Sequence, residues 1–297
     1  MLEGGGCLSP DLRMPRMTES GAEVVFRPDA SAWAGLAQRA SARPGADARE
    51  RFRSELGLQG EGPLVMSGHQ CAFWHPGILA KWLATDALAA RVGGTASWVW
   101  VDHDDNDAMG IAYPAEREER LSRGWWRMGP AMAGVAIRSR GVVRPADVPR
   151  DSAIGSGWAE GVRALMQGQE DRSDLAQQVA GAVELGLGDF RGEMRTFLAR
   201  AMVHTTLFGS VLDRMAREPA RLVETYNAAV EAHPEARVRP LRREGERLEL
   251  PLWRVRPETA REAVWSTDLR DGGMDASELA PRALLMTGLL RWAGCDL

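Results

Sequence analysis

Lysine is nearly missing from this chain of 297 residues. Of 37 basic side chains, Lys81 is the only lysine and the other 36 are arginine. Arginine serves wherever a generic positive charge suffices, but not where a compact, titratable ammonium is required. Cysteine is also scarce. Cys7, Cys71 and Cys295 are three, without CxxC spacing, which argues against a disulfide framework or a cysteine-rich zinc site and points to reducing cytoplasm. No apolar run approaches bilayer length. Residues 1–20, rich in Gly, Pro and Met, lack the apolar core of a signal peptide and read as disordered. A net charge of −4 leaves no basic footprint for nucleic acid. The expected partner is a small molecule, neither nucleic acid nor membrane.

Several familiar motifs are missing too. There is no Gly-x-Ser-x-Gly, no Walker loop, and no Gly-x-Gly-x-x-Gly after the first strand. A calcium loop starting at Asp105 would put Gly110 and Glu116 correctly, but it places Met109 where an oxygen ligand is needed. No zinc spacing is recognisable among the histidines, so no metal site is expected.

What is present concentrates between residues 66 and 107. Three of the five histidines (His69, His75 and His103) lie there with Lys81 and the acidic run Asp102-His103-Asp104-Asp105-Asn106-Asp107. Residues 64–67 read as a short buried strand entering a loop at Gly68. His75-Pro76 suits a helix start, since proline is tolerated in a first turn. Ile78, Leu79, Trp82, Leu83 and Ala87 carry helical spacing that Gly93-Gly94 ends. Residues 96–101 form a second apolar strand. A strand–helix–strand unit of this length predicts a parallel crossover. Both polar clusters then leave carboxyl ends of neighbouring strands, where open α/β sheets bind ligands.

Downstream, residues 134–138 read as a strand. Residues 152–232 read as helical, with apolar spacing over 175–185 and 197–215. Residues 237–241 and 248–255 read as two strands joined by a charged turn. Residues 281–292 read as a helix, and 294–297 as the start of a strand. The predicted fold is α/β, a parallel sheet with a helical insertion. Its parts are 1–20 disordered, 21–150 the first part of the sheet domain, 151–235 the helical insertion, and 236–297 a return to the sheet domain.

Each candidate has a functional and a plain reading. Gly68 lets backbone approach a ligand, and the following N–H groups near a helix start can hold an anion. His69 and His75 can act as general acids or simply be hydrogen-bonded. Lys81 can reach a carboxylate or phosphate, or remain solvated. Asp102, Asp104, Asp105 and Asp107 repel one another unless a cation sits nearby: a metal, His103 as imidazolium, a lysine or arginine, or a substrate amine. The plain alternative is a solvated acidic loop. Cys71 reads as a buried structural thiol before a nucleophile. Trp98, Trp100, Trp125 and Trp126 read as packing before a stacking platform.

Gly68-His69-Gln70, then Pro76-Gly77 and Lys81, then an apolar strand running into Asp102-His103-Asp104, resemble the bacillithiol biosynthesis cysteine-adding enzymes. In those proteins the matching places hold Gly-Gln-Gln, a Gly-Pro stretch with a following Lys, and Glu-Asp-His-Asp. Leu279-Ala-Pro-Arg-Ala-Leu284 is a weaker echo. The resemblance covers residues 64–107. His69 replaces a family glutamine, and the chain is shorter than typical members, as a divergent or truncated member would be. The resemblance implies a Rossmann-like core related to nucleotidylyltransferases and an amide-forming ligation that adds cysteine to glucosaminyl malate. On chemical grounds His69, His75, Asp102, His103 and Asp104 are the candidate catalytic residues, and Gly68, Gln70, Gly77, Lys81, Asp105 and Asn106 the candidate substrate-binding ones. The alternatives are an ATP-using nucleotidylyltransferase-like enzyme, which would need ATP with Mg, and a non-catalytic small-molecule-binding remnant.

Overall fold

The computed structural model describes residues 30–41, 46–58, 60, 62–73, 76–145, 147–234, 238–270 and 274–281. His75, Cys7, Cys295 and the stretches expected to be disordered (1–20), helical (from residue 282) and strand-like (294–297) lie outside these residues. The fold is mixed α/β, organised around a three-stranded parallel sheet.

Two short helices, α1 (Trp33–Ser41) and α2 (Ala46–Glu55), precede β1 (Leu64–Gln70). Helix α3 (Pro76–Val92) follows, then β2 (Thr95–Val101), which pairs with β1 in parallel from Leu64↔Thr95 to Gln70↔Val101. The strand–helix–strand unit expected from the sequence is therefore present. Helix α3 buries Ile78, Trp82, Thr85 and Ala89, a stripe that turns with the helix. On β2, Ala96, Ser97, Trp98 and Trp100 are all buried, as befits a central strand covered on both faces. Trp82, Trp98 and Trp100 are the largest fully buried side chains of this core. Their rings pack at centroid distances of 5.2 Å (Trp82–Trp98) and 6.2 Å (Trp98–Trp100), distances typical of tilted and edge-to-face aromatic contacts. The indole N–H of Trp100 is satisfied by Glu184 at 2.8 Å.

Gly68 is not a loop residue. The strand continues through Gly68, His69 and Gln70, paired with Val99, Trp100 and Val101. Its glycine serves close strand approach rather than a turn: a Cβ there would stand 2.5 Å from the Val99 carbonyl oxygen.

The chain then makes an antiparallel hairpin that the sequence reading missed, β3 (Gly110–Arg117) and β4 (Arg120–Arg127). Its two-residue turn, Glu118-Glu119, has φ of 51° and 59°. Turns of that hand normally carry Asn-Gly or Asp-Gly, so the usual signature was missing. Tyr113, Ala115 and Trp126 face the core, whereas Trp125 is exposed. Residues 134–138, read as a strand, instead make one bridge (Val135↔Ala260) and a 3₁₀ turn, Ile137–Ser139.

Helices α4 (Gly157–Gln167) and α5 (Leu175–Leu187) cover the sheet. The segment 151–235 is not wholly helical, however. Residues 195–198, read as part of a helix, form β5 (Arg195–Leu198), which pairs in parallel with β2 and sets the order β1–β2–β5. A short apolar run is compatible with either element, and here the free edge of β2 decided. A 3₁₀ segment (Ala199–His204), α6 (Thr206–Arg217) and α7 (Pro219–Ala232) follow. Thr205 caps α6 by accepting the Phe208 N–H at 3.3 Å.

Among the described residues, the last part does not join the parallel sheet. It builds a separate, antiparallel one from β6 (Arg243–Glu244), β7 (Arg247–Arg254), β8 (Glu262–Trp265) and β9 (Leu279–Pro281). A short helix, α8 (Ser266–Arg270), follows β8. The strand expected at 237–241 is displaced to residues 243–244, the turn falling at Gly245 with φ of 61°. Leu250, Leu252, Val264 and Leu279 of this sheet pack with Phe208, Val211 and Met215 of α6 in a second core cluster.

Candidate functional site

Parallel pairing sends the carboxyl ends of β1 and β2 in the same direction, so Gly68-His69-Gln70 and the run from Asp102 onward emerge side by side. Two hydrogen bonds tie them. Gln70 Nε2 donates to Asp104 Oδ2 at 2.7 Å, and Asn106 Nδ2 donates to the Cys71 carbonyl at 3.0 Å. Of the site residues expected from sequence, Gln70, Asp104 and Asn106 are thus brought together. Lys81 is close to Gly68 instead: its Nζ donates to the Gly68 carbonyl at 2.6 Å and lies 5.7 Å from the centroid of the Trp98 ring. An ammonium has three donors, so this bond leaves two N–H groups on an exposed side chain. His69 is half-buried, its Nδ1 3.1 Å from the Gln70 carbonyl. Gly77 lies exposed in the first turn of α3.

The acidic run divides by burial. Asp102 is fully buried. Its carboxylate accepts the Arg200 Nε–H in a short bond and the Arg200 backbone N–H at 3.2 Å. The same guanidinium donates to both oxygens of Asp174 at 2.7 and 3.0 Å. Asp174 in turn caps α5 through the Gln177 N–H at 3.0 Å. One arginine from the exit of β5 therefore joins the end of β2 to the start of α5. Burial alone would raise the Asp102 pKa, but the neighbouring His103 ring and the Arg200 guanidinium outweigh it and hold the carboxyl below its usual range. Burial disfavours the charged form of Arg200 as well, yet Asp174 and Asp102 more than compensate and raise its pKa. The backbone is fixed too, by Arg138 N–H to the Asp102 carbonyl and Ile137 N–H to the Asp104 carbonyl, both 2.9 Å.

Asp104 and Asp105 are half-buried and meet a second arginine. Arg261, at the entry to β8, donates to Asp104 Oδ1 at 3.0 Å, Asp105 Oδ1 at 2.6 Å and the His103 carbonyl at 3.2 Å. Its guanidinium carbon lies 5.0 Å from the Trp253 ring centroid. Asp104 Oδ1 also accepts the Asp105 N–H at 3.0 Å. Burial pushes the Asp104 pKa up, but Gln70, the Asp105 N–H and Arg261 together bring it below the ordinary value. Asp107 pairs with Arg127 at 2.9 Å. The cations the acidic run requires are therefore arginines.

His103 is 4% exposed, and among the described residues neither ring nitrogen has a hydrogen-bond partner. Its Nδ1 lies 3.8 Å from Asp102 Oδ1, beyond hydrogen-bonding distance. Asn106 Oδ1 is likewise buried and without a partner among the described residues. Cys71 is buried, and burial first, then Asp102, raises its thiol pKa. That is the setting of a structural thiol, not of a nucleophile. Among the described residues no group of three or more His, Cys, Asp and Glu side chains is placed to hold a metal ion.

Sequence reasoning missed Arg200, Asp174 and Arg261. No signal could have singled out either arginine among 36, since each reaches the loop from about a hundred or more positions away (|i−j| of 98 and 157). Among the described residues no helix is long and apolar enough to cross a membrane. No family model matches the chain, and the comparison with curated proteins returns no match.

Proposed function

We propose that the crevice at the ends of β1 and β2 takes a small anionic, amine-bearing metabolite and joins it to a second molecule, as the bacillithiol cysteine-adding enzymes join cysteine to glucosaminyl malate. The observation that carries this reading is the 2.7 Å bond from Gln70 to Asp104, because it unites the two motifs on which the resemblance rests. A parallel sheet with ligand groups at its carboxyl end suits a Rossmann-like, nucleotidylyltransferase-related core. Reducing cytoplasm suits a thiol-handling reaction and the buried free Cys71.

In this reading Lys81, with Gly68, Gln70 and Gly77, holds a carboxylate of the metabolite. Asp104, Asp105 and Asn106 receive its amine and hydroxyls. Asp102, a catalytic candidate on chemical grounds, instead holds the loop through Arg200. His69, His75 and His103 supply acid–base groups. Amide formation joins the metabolite's nitrogen to the cysteine carbonyl carbon and breaks one carboxylate C–O bond, while two hydrogens leave the ammonium as protons. ATP with Mg would supply carboxyl activation, in which case the displaced oxygen would leave on the phosphate.

Glucosaminyl malate and L-cysteine, incubated with the protein with and without ATP and Mg²⁺, test this by mass spectrometry. The expected result is the condensed product from the wild type and none from Asp104→Ala or His69→Ala, whose melting temperatures stay near wild type. Pyrophosphate release from ATP without cysteine addition would replace this reading with nucleotidyl transfer. Binding followed by recovery of unchanged ligands would replace it with a non-catalytic binder.

A further inference from the structure

The Asp104–Asp105 corner is already occupied by a cation, and that cation is part of the chain. Arg261 presents two guanidinium nitrogens to three acceptors: Asp104 Oδ1, Asp105 Oδ1 and the His103 carbonyl. With Gln70 on Asp104 Oδ2 and the Asp105 N–H on Oδ1, the Asp104 carboxylate has donors at both oxygens. A ligand amine cannot take full possession of this carboxylate while Arg261 stays. We infer that Asp104, Asp105 and the His103 carbonyl form a recognition site for a ligand's ammonium or guanidinium group, with Arg261 as the internal occupant that the ligand displaces.

Three features favour exchange here over a permanent clamp. The Asp104 and Asp105 carboxylates are 29% and 37% exposed, whereas the Asp102 carboxylate is fully enclosed, so the contrast lies in the acceptors and not in the arginines, Arg261 being 16% and Arg200 26% exposed. Partly exposed pairs contribute little net stability, so exchanging one cation for another is inexpensive. The Arg261 backbone is fixed independently by its N–H to the Gly134 carbonyl at 3.0 Å, so the side chain can swing away without the strand moving. Finally, the His103 ring, 3.8 Å from Asp102 Oδ1 and next along the chain from Asp104, is buried with both nitrogens lacking a hydrogen-bond partner among the described residues. A buried polar group left in that condition is costly, and a ligand carrying hydroxyls next to its amine gives the ring a partner.

The inference rests on the reading of Asp104 as the amine-binding group, and chemical rescue separates the two. Arg261→Ala uncovers the three acceptors. Methylguanidinium should then bind the variant at least about tenfold more tightly than wild type by calorimetry. It should also raise the variant's melting temperature while leaving that of Arg144→Ala, which loses an exposed pair with Glu170, unmoved. Adding Asp104→Asn to Arg261→Ala should abolish the rescue. Equal binding to wild type and Arg261→Ala overturns the inference, as does rescue that survives Asp104→Asn. If Arg261→Ala does not fold, Arg261→Lys keeps a charge in place with a poorer fit to three acceptors. D-glucosamine should bind that variant more tightly than wild type, and equal affinity again overturns the inference. Titrating glucosaminyl malate into wild type and Asp104→Asn tests the functional reading alone. Affinity unchanged by Asp104→Asn sinks that reading while leaving the methylguanidinium result intact.

Discussion

Two arginines hold one short loop from opposite sides, in different surroundings. Arg200 meets Asp102 where no solvent reaches the carboxylate, and it bridges to the helix-capping Asp174. Arg261 meets Asp104 and Asp105 at a partly open rim. The chemistry of the contacts is the same, but the consequences of breaking them are not. The enclosed Asp102 carboxylate is left as an uncompensated charge when its guanidinium partner is removed. A rim carboxylate recovers water. The inner pair therefore reads as architecture, and the outer pair is the one the proposed exchange requires.

The largest effect should come from Arg200→Ala, which strands the enclosed Asp102 carboxylate. Losing the guanidinium should cost about 3–5 kcal/mol in urea unfolding, as for other broken buried pairs. A cost below about 1 kcal/mol would show that the two clamps do not differ as burial suggests. Acid should act on both clamps. The folded pKa values of Asp102 and Asp104 lie below their ordinary values, so the stability they contribute is complete above the unfolded carboxyl pKa and is lost as pH falls through the folded ones. The melting temperature should hold from pH 7 to about pH 5 and decline below about pH 4. Asp102→Asn should flatten that decline more than Asp104→Asn, and equal flattening counts against the division. Arg261→Ala should cost only about 1 kcal/mol, the upper end for a partly exposed pair. Arg144→Ala should change stability by less than about 0.5 kcal/mol, and it calibrates the scale.

The same division explains how much of this protein could be read along the chain. The crossover β1–α3–β2 was legible because its signals are local: apolar runs of strand length, a proline at a helix start, a glycine pair at its end. The adjacency of Gln70 and Asp104 followed from it, since parallel strands must end on one side. The hairpin β3–β4 was not legible, because Glu118 and Glu119 adopt a left-handed turn without the residues that usually announce it. Residues 195–198 were ambiguous, and only the open edge of β2 made them a strand.

The sequence by itself determined where the polar chemistry gathers, because Lys81 and three of five histidines stand near the acidic run and the strand period sets which ends they share. Tertiary structure alone decided which carboxylates are enclosed and which reach the surface. That outcome depends on which of 36 chemically equivalent arginines arrives, and on whether water comes with it. Ion-pair choice and local solvation are properties of packing between distant segments, and no local pattern encodes them.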